Sequence, residues 1–290
     1  MERVPAEGVL DWLVARTEPA PGDPEFDLLV GELTSSLARK SGVPVQPLEV
    51  ASVSGLDAAG WDDVLWILHA MRETDELPAD ITWARADQAR RMSAWRRWLS
   101  GSGRLPQILD DYLDWVALDE TARARIEGPV RGWTRLSWGD LGRRLGIEID
   151  ECEGVPTAET WFPYKSWPVN IDGPEEGSLD REQFLRLVDH LAAVSPRGGD
   201  VQCFAYYAYL AAIWAEEDVV YRGRIGGLSA LLESDDVAGT PSNIWPTDRS
   251  WLVYTDYDLC GTKVSGSAYL IERLAGDLQL ETIRLAGAGR

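Results

Sequence analysis

The strongest constraint on the fold is an alternation of side chains from Ser250 to Asp258, SWLVYTDYD. Aromatic and β-branched residues stand at every second position, which is typical of a β-strand. Gly261 then permits a turn, and residues 262–265 predict a short return strand. Ser267 stands where a helix N-cap belongs, ahead of an apolar stripe at helical spacing. The C-terminal part therefore predicts antiparallel strands followed by one amphipathic helix.

Other segments of the second half extend this pattern. Val219 to Ile225 and Leu280 to Leu285 predict two more strands, and an amphipathic helix is predicted from Asp180 onward. Residues 201–214 are apolar and aromatic throughout, so their period leaves strand and helix both open. Pro241 and Pro246 favour a loop before the alternating strand, because proline cannot donate to a sheet ladder.

The first half of the chain predicts mainly helices. The apolar spacing indicates a helix opened by Asp62 and Asp63 and ending at Arg72, another over residues 84–100, and one from Ser137 to Leu145. The predicted fold class is therefore α+β: a helical N-terminal layer packed on a C-terminal portion with a mainly antiparallel sheet. We place the domains at residues 1–150, a helical region, and 151–290, an α/β region.

A sequence signature lies in the α/β region. The run WPTDRSWLVYTDYDLCGTKVSGS resembles the C-terminal signature of a family of uncharacterised bacterial proteins, roughly W-P-x-D-R-x-W, then T-x-x-D, then a G-S pair before a helix. The upstream segment EGSLDREQFLRLVDHLAAVS resembles a second element of that family. The resemblance covers about residues 174–285. It implies a shared fold unit and transfers no catalytic residue, since the family has no known activity.

Charge limits the classes of partner. The formal net charge is −20 and the isoelectric point is near 4.5, so the surface repels DNA and anionic membranes and attracts basic proteins. Acidity also serves plain solubility, and for the charge taken alone we favour that interpretation. Three separated cysteines and an acidic, signal-free N-terminus predict a cytoplasmic protein. The oligomeric state is left open.

Signatures of catalysis are missing from the sequence. His69 and His190, the two histidines, fall inside predicted amphipathic helices and are interpreted as structural. The chain has no GxSxG, HExxH or phosphate-binding glycine loop. We therefore predict no catalytic residue, no cofactor and no metal ligand.

Asp256 and Asp258 are the strongest candidates for a functional pair of polar residues. Two residues apart on a strand, their carboxylates share a face and suit a divalent cation or a general base. Alternatively, Asp258 begins a turn while Asp256 pairs with Arg249 or caps a backbone group. We favour the structural interpretation and keep both residues as candidate binding residues.

Tryptophans in predicted loops are the other candidate binding residues. The chain has fourteen tryptophans, and each ring must be buried or belong to a binding surface. Trp167 and Trp245 precede prolines and are predicted to be the best exposed. With Trp161, Asp248 and Arg249 they complete the predicted binding residues.

A basic segment stands out in this acidic chain. Residues 84–104 carry six arginines and one acid, with tryptophans between them. Such a segment suits RNA or phosphate binding, but a helix whose arginines flank a core-facing stripe explains the same spacing, and we favour the latter.

The predicted function is that of a non-enzymatic cytoplasmic protein-interaction protein, possibly an acidic immunity protein that neutralises a cognate toxin. The alternative is a small-molecule enzyme that uses a carboxylate site around Asp256 and Asp258, possibly with metal assistance.

Overall fold

The computed structural model describes residues 1–17, 56–88, 131–149, 154–208 and 218–284. The chain divides into two compact units. Unit 1 comprises Met1–His69, Glu153–Val155 and Glu176–Arg290, and unit 2 comprises Ala70–Cys152 and Pro156–Glu175. The predicted boundary at residue 150 falls outside the described residues and stays a prediction.

The described secondary structure has eleven strands. In chain order they are β1 (Glu2–Val4), β2 (Asp63–Leu68), β3 (Met71–Glu73), β4 (Thr134–Leu136), β5 (Ile171–Asp172), β6 (Gln202–Tyr207), β7 (Val219–Arg224), β8 (Asn243–Pro246), β9 (Leu252–Thr255), β10 (Gly261–Gly266) and β11 (Thr282–Arg284). The α-helices that lie wholly within the described residues are α1 (Asp11–Val14), α2 (Trp138–Leu145), α3 (Arg181–Val194) and α4 (Ala268–Ala275), and residues 83–88 are also helical. Four 3₁₀ segments cover Ala158–Trp161, Pro163–Lys165, Gly198–Asp200 and Ile225–Glu233.

Unit 1 is built on an antiparallel sheet of eight strands in the order β1-β7-β6-β8-β9-β10-β2-β11. The α+β class with a mainly antiparallel sheet is confirmed. The strands predicted at 219–225, within the alternating run 250–258, and at 280–285 are confirmed as β7, β9 and β11, and the return strand is β10. Ser267 caps α4 as predicted, accepting a hydrogen bond from the Leu270 amide at 3.4 Å.

The helix predicted from Asp62 to Arg72 is wrong, because this segment forms β2 and β3. Residues 64–68 are all buried, and β2 lies inside the sheet between β10 and β11. A strand that is covered on both faces has no polar alternation, so its sequence cannot be told from that of a buried helix. The helix predicted over residues 84–100 falls mostly outside the described residues, so the helical N-terminal layer stays a prediction.

The loop predicted before β9 is also wrong, since four of its residues form β8 and all four are buried. Pro246 removes no hydrogen bond to β9, because the pairing of β8 with β9 covers only Asn243 and Ile244. The ambiguous segment at 201–214 begins as β6, and residues 209–217 lie outside the described part.

Both faces of the sheet in unit 1 are covered. On one face, α3 and α4 bury residues such as Leu187, Ile271 and Trp251 in the larger core. On the other face, Leu13 of α1 and Leu56 pack with Trp245 and other strand residues. Successive residues of one strand therefore enter different cores, because side chains alternate between faces.

Unit 2 contains a small antiparallel sheet in the order β4-β3-β5. The predicted helix from Ser137 to Leu145 is confirmed as α2, with the Asp140 amide donating to the Ser137 hydroxyl at 3.0 Å. An Arg144–Glu73 ion pair ties α2 to β3.

Candidate functional site

The predicted binding residues are divided between the two units. Trp161 and Trp167 belong to unit 2, whereas the remaining five belong to unit 1: Trp245, Asp248, Arg249, Asp256 and Asp258. Each group is therefore described within its own unit.

Trp245 is a core residue, and the prediction that it is exposed is wrong. Its side chain is 1% exposed, stacked on Phe204 with ring centroids 5.4 Å apart and edge-on to Trp12 at 6.0 Å. The residue before a proline favours extended backbone, and here that extended backbone is the buried strand β8 rather than a loop.

Asp248 and Arg249 lie at the tip of the β8–β9 hairpin and make local contacts. One oxygen of Asp248 accepts from the Ser250 amide at 3.1 Å and from the Ser250 hydroxyl at 2.8 Å, which closes the turn. The Arg249 guanidinium lies 4.9 Å from the ring centroid of Trp12. A cation at this distance over an indole is favourable, so Arg249 covers the edge of the aromatic stack.

Asp256 lies in a desolvated position just after β9. The Tyr254 hydroxyl donates to Asp256 Oδ2 at 2.7 Å, while Asp256 Oδ1 is inaccessible and has no hydrogen-bond partner. Burial raises the pKa of Asp256, the Tyr254 hydrogen bond opposes this rise, and the charge of Asp258 adds to it. The suggested pairing of Asp256 with Arg249 is replaced by the contact with Tyr254.

Replacing Asp256 by Asn is expected to stabilise the protein at neutral pH. Because the pKa in the folded protein lies above the ordinary 3.8, ionisation of Asp256 costs the folded state more than the unfolded state. This cost is absent below the unfolded pKa, grows as pH rises, and is complete above the folded pKa. Asn removes the charge and keeps an acceptor for Tyr254. We therefore expect a higher urea midpoint for Asp256→Asn than for wild type at about pH 7, and equal midpoints at about pH 3.

The matched control for this prediction is Asp235→Asn, which removes an exposed carboxylate. Its midpoint is expected to follow wild type at both pH values. A gain for Asp256→Asn that is equally large at low and neutral pH would contradict the role assigned to the buried charge.

Tyr257 and its neighbours form an exposed acidic surface. Tyr257 is 40% exposed, it stands between Asp256 and Asp258 in the turn after β9, and Glu176 is exposed on the adjoining segment. The Gly177 amide donates to the Leu259 carbonyl at 3.0 Å, which joins the two segments. We call Glu176, Asp256, Tyr257 and Asp258 the Tyr257 surface.

Gly177 makes this close approach possible. Its φ is +71°, and a Cβ at this position would lie 2.8 Å from Tyr257 Cα. Only glycine combines this backbone conformation with such a contact.

Lys263, a cation on the neighbouring strand β10, is already engaged in an ion pair. It stands opposite Tyr254 on β9 and Trp66 on β2. Its ammonium donates to both Asp57 oxygens at 2.9 Å and lies 5.9 Å from the ring centroid of Trp66. Lys263 therefore neutralises Asp57 rather than the Tyr257 surface.

The carboxylates of the Tyr257 surface have no cationic partner among the described residues of unit 1. The ion pairs found there involve other acids: Asp57, Asp63, Asp200, Glu233, Glu272 and Asp277. Unit 1 also holds 30 of the 48 acidic residues but only 14 of the 28 lysines and arginines. Negative charge is thus concentrated in the unit that carries this surface.

Trp161 and Trp167 are both half-buried. Trp161 packs edge-on against Trp138 with centroids 6.3 Å apart, and Trp167 packs against Phe162 at 5.3 Å. The exposed ring of this segment is that of Tyr164, at 63%. The prediction that Trp161 and Trp167 bind a partner stays a prediction.

Both histidines contact side chains in unit 1. His69 is fully buried, and its Nε2 lies 2.9 Å from the Thr262 hydroxyl. His190 Nε2 lies 2.8 Å from Asp277 Oδ2. Most of the arginine-rich segment 84–104 falls outside the described residues, so its role stays a prediction.

Comparisons of the chain with protein-family models, curated proteins and solved structures found no match. The resemblance of the C-terminal signature to an uncharacterised bacterial family therefore stays a prediction. In the part of the chain that the structure describes, no helix is long and apolar enough to cross a membrane. The same residues contain no group of three His, Cys, Asp or Glu side chains that could hold a metal ion.

Proposed function

We propose that this protein is a non-enzymatic, cytoplasmic interaction protein whose Tyr257 surface binds a basic protein. The observation that carries the proposal is an exposed tyrosine between carboxylates without described cationic partners. Tyrosine is enriched among the residues that dominate binding energy, and unpaired acids around it favour a cationic surface. An acidic immunity protein that neutralises a basic toxin is the most concrete form of this function.

The charges and the ring contribute to different stages of binding. Asp258 and Glu176 are exposed, so their field acts over a Debye length and steers the encounter with a basic protein. Tyr257 has apolar area to bury and a hydroxyl to pair, which lengthens the lifetime of the complex. Asp256 is half-buried, and a cation from the partner would relieve the cost of its ionisation.

Affinity capture from the native cell tests this function. Wild-type protein is expected to retain one basic protein in stoichiometric amount, while Glu176→Gln/Tyr257→Ala/Asp258→Asn retains at most about a tenth as much, a loss of roughly 1.4 kcal/mol or more. The control Asp235→Asn/Asp236→Asn/Tyr269→Ala makes the same charge change and also removes one exposed tyrosine. It is expected to capture the partner as wild type does.

Equal capture by wild type and by both triple variants would contradict the role of the Tyr257 surface. Retention of an acidic partner would contradict the charge argument.

A second candidate function, a small-molecule enzyme with a carboxylate site, is favoured by one observation. Burial and the Asp258 charge raise the pKa of Asp256, and acids with raised pKa values are common at catalytic sites. An enzyme of this kind needs no stoichiometric protein partner. A capture experiment that recovers no stoichiometric protein partner with wild type or with either triple variant would therefore favour the enzyme.

A further inference from the structure

Unit 2 carries a strained turn at residues 162–165. The Lys165 amide donates to the Phe162 carbonyl at 3.1 Å, which makes Pro163 the second and Tyr164 the third residue of the turn. Tyr164 has φ 61° and ψ 19°, and the next residue, Lys165, has φ 48°. A third turn position with positive φ is ordinarily filled by glycine or asparagine. Two consecutive bulky residues in this conformation cost conformational energy.

The segments on both sides of the turn are held in place. Before it, Trp161 packs on Trp138, which is 1% exposed. After it, the Ser166 hydroxyl accepts from the Ala84 amide at 2.9 Å, and the Trp167 carbonyl accepts from the Trp83 amide at 2.9 Å. The surrounding structure therefore imposes the strained conformation.

The side chains of these two residues, whose backbone is strained, are directed outward. The Tyr164 side chain is 63% exposed, and Lys165 is exposed as well. Packing within the described part of unit 2 therefore does not account for a tyrosine at a position that suits glycine. Strain of this kind persists where it serves binding, because a preformed geometry lowers the entropy lost on association.

We propose that the Tyr164–Lys165 turn is a preformed anchor for a protein partner. The ring would enter an apolar pocket of the partner, and the phenol and ammonium groups would donate to acceptors at its rim. A protruding ring fits a macromolecular surface, since sites for small molecules are concave. The proposal rests on the proposed function only in that the binding partner is a protein. The contact that it assigns lies in unit 2, whereas the Tyr257 surface lies in unit 1.

Stability measurements provide the first part of the test, with Tyr269 as the matched position. Tyr269 is also 63% exposed but lies in helix α4. Tyr164→Gly is expected to raise the urea midpoint, because glycine accepts positive φ without strain. Tyr269→Gly is expected to lower it, because glycine disfavours a helix. A lowered midpoint for Tyr164→Gly would make Tyr164 a packing residue and overturn the proposal.

Crosslinking in the native cell provides the second part. Benzoylphenylalanine in place of Tyr164 is expected to give one discrete protein adduct on irradiation, and in place of Tyr269 none. Excess wild-type protein should suppress that adduct at least tenfold more effectively than excess Tyr164→Gly. Absence of a discrete adduct, equal competition, or a nuclease-sensitive adduct would each overturn the proposal.

The crosslinking result also separates this inference from the proposed function. An adduct that survives Glu176→Gln/Asp258→Asn would support the turn as an anchor while contradicting the acidic surface. A captured basic protein that never crosslinks through position 164 would support the acidic surface and contradict the turn as an anchor.

Discussion

Replacing Trp245 by Ala is expected to lower the free energy of unfolding by about 3–5 kcal/mol, the usual cost of deleting a buried tryptophan. The ring is 1% exposed and joins two parts of the smaller core. It stacks on Phe204 of β6 and packs edge-on with Trp12 of α1. The deletion therefore leaves a cavity against which both neighbouring rings lose contact.

Urea denaturation measures this loss directly. Tyr269→Ala removes a side chain that is 63% exposed and is expected to change stability by no more than about 0.5 kcal/mol. A loss below about 1 kcal/mol for Trp245→Ala would contradict its place in the core. It would restore the hypothesis that the ring is an exposed binding anchor.

Asn243→Ala is expected to destabilise the protein by about 2–4 kcal/mol, because it leaves buried backbone groups unpaired. Asn243 is fully buried. Its Oδ1 accepts from the Leu56 amide at 2.7 Å, and its Nδ2 donates to the Leu56 carbonyl at 2.9 Å and to the Val253 carbonyl at 3.1 Å. One side chain thus fastens the segment at Leu56 to the sheet, next to Asp57, which pairs with Lys263.

The sharpest comparison for Asn243 is Asn243→Asp, which has nearly the same shape. Aspartate keeps the acceptor for the Leu56 amide but presents a charge to two carbonyl oxygens. We expect it to be at least as destabilising as Asn243→Ala at about pH 7. Stability close to wild type for either variant, measured by urea denaturation, would contradict the assigned hydrogen bonds.

The elements predicted best from the sequence are those specified by neighbouring residues. Ser267 marks the start of α4 through its own side chain, and β9 is indicated by its alternation. Such cues are local, so they can be recognised before the tertiary structure is known.

The elements that were mispredicted depend on partners distant in sequence. The residues of β2 have a helical appearance because residues 64–68 are all buried, and Leu65 and Ile67 pack in the larger core with residues that follow much later in the chain. Strand β8 is only four residues long, too short for a period to emerge beside two prolines. In both cases tertiary contacts decide the conformation.

Exposure of the candidate site was the least predictable property. A tryptophan before proline suggested a loop, yet Trp245 is enclosed by the smaller core. Tyr257 lies beyond the end of β9, where the alternation no longer places a side chain in either core. The Asp-Tyr-Asp triplet after the last strand residue was the available signal, since two acids are rarely buried together without partners.

The salt dependence of association with the captured partner tests the central claim most directly. Steering by the Tyr257 surface predicts that the wild-type association rate constant falls at least tenfold between about 50 mM and about 500 mM salt. Glu176→Gln/Asp258→Asn should associate several-fold more slowly at low salt and with a flatter salt dependence. The control Asp235→Asn/Asp236→Asn should follow wild type. Identical rate constants and salt slopes for the wild type and Glu176→Gln/Asp258→Asn would contradict the claim that this surface binds a basic protein.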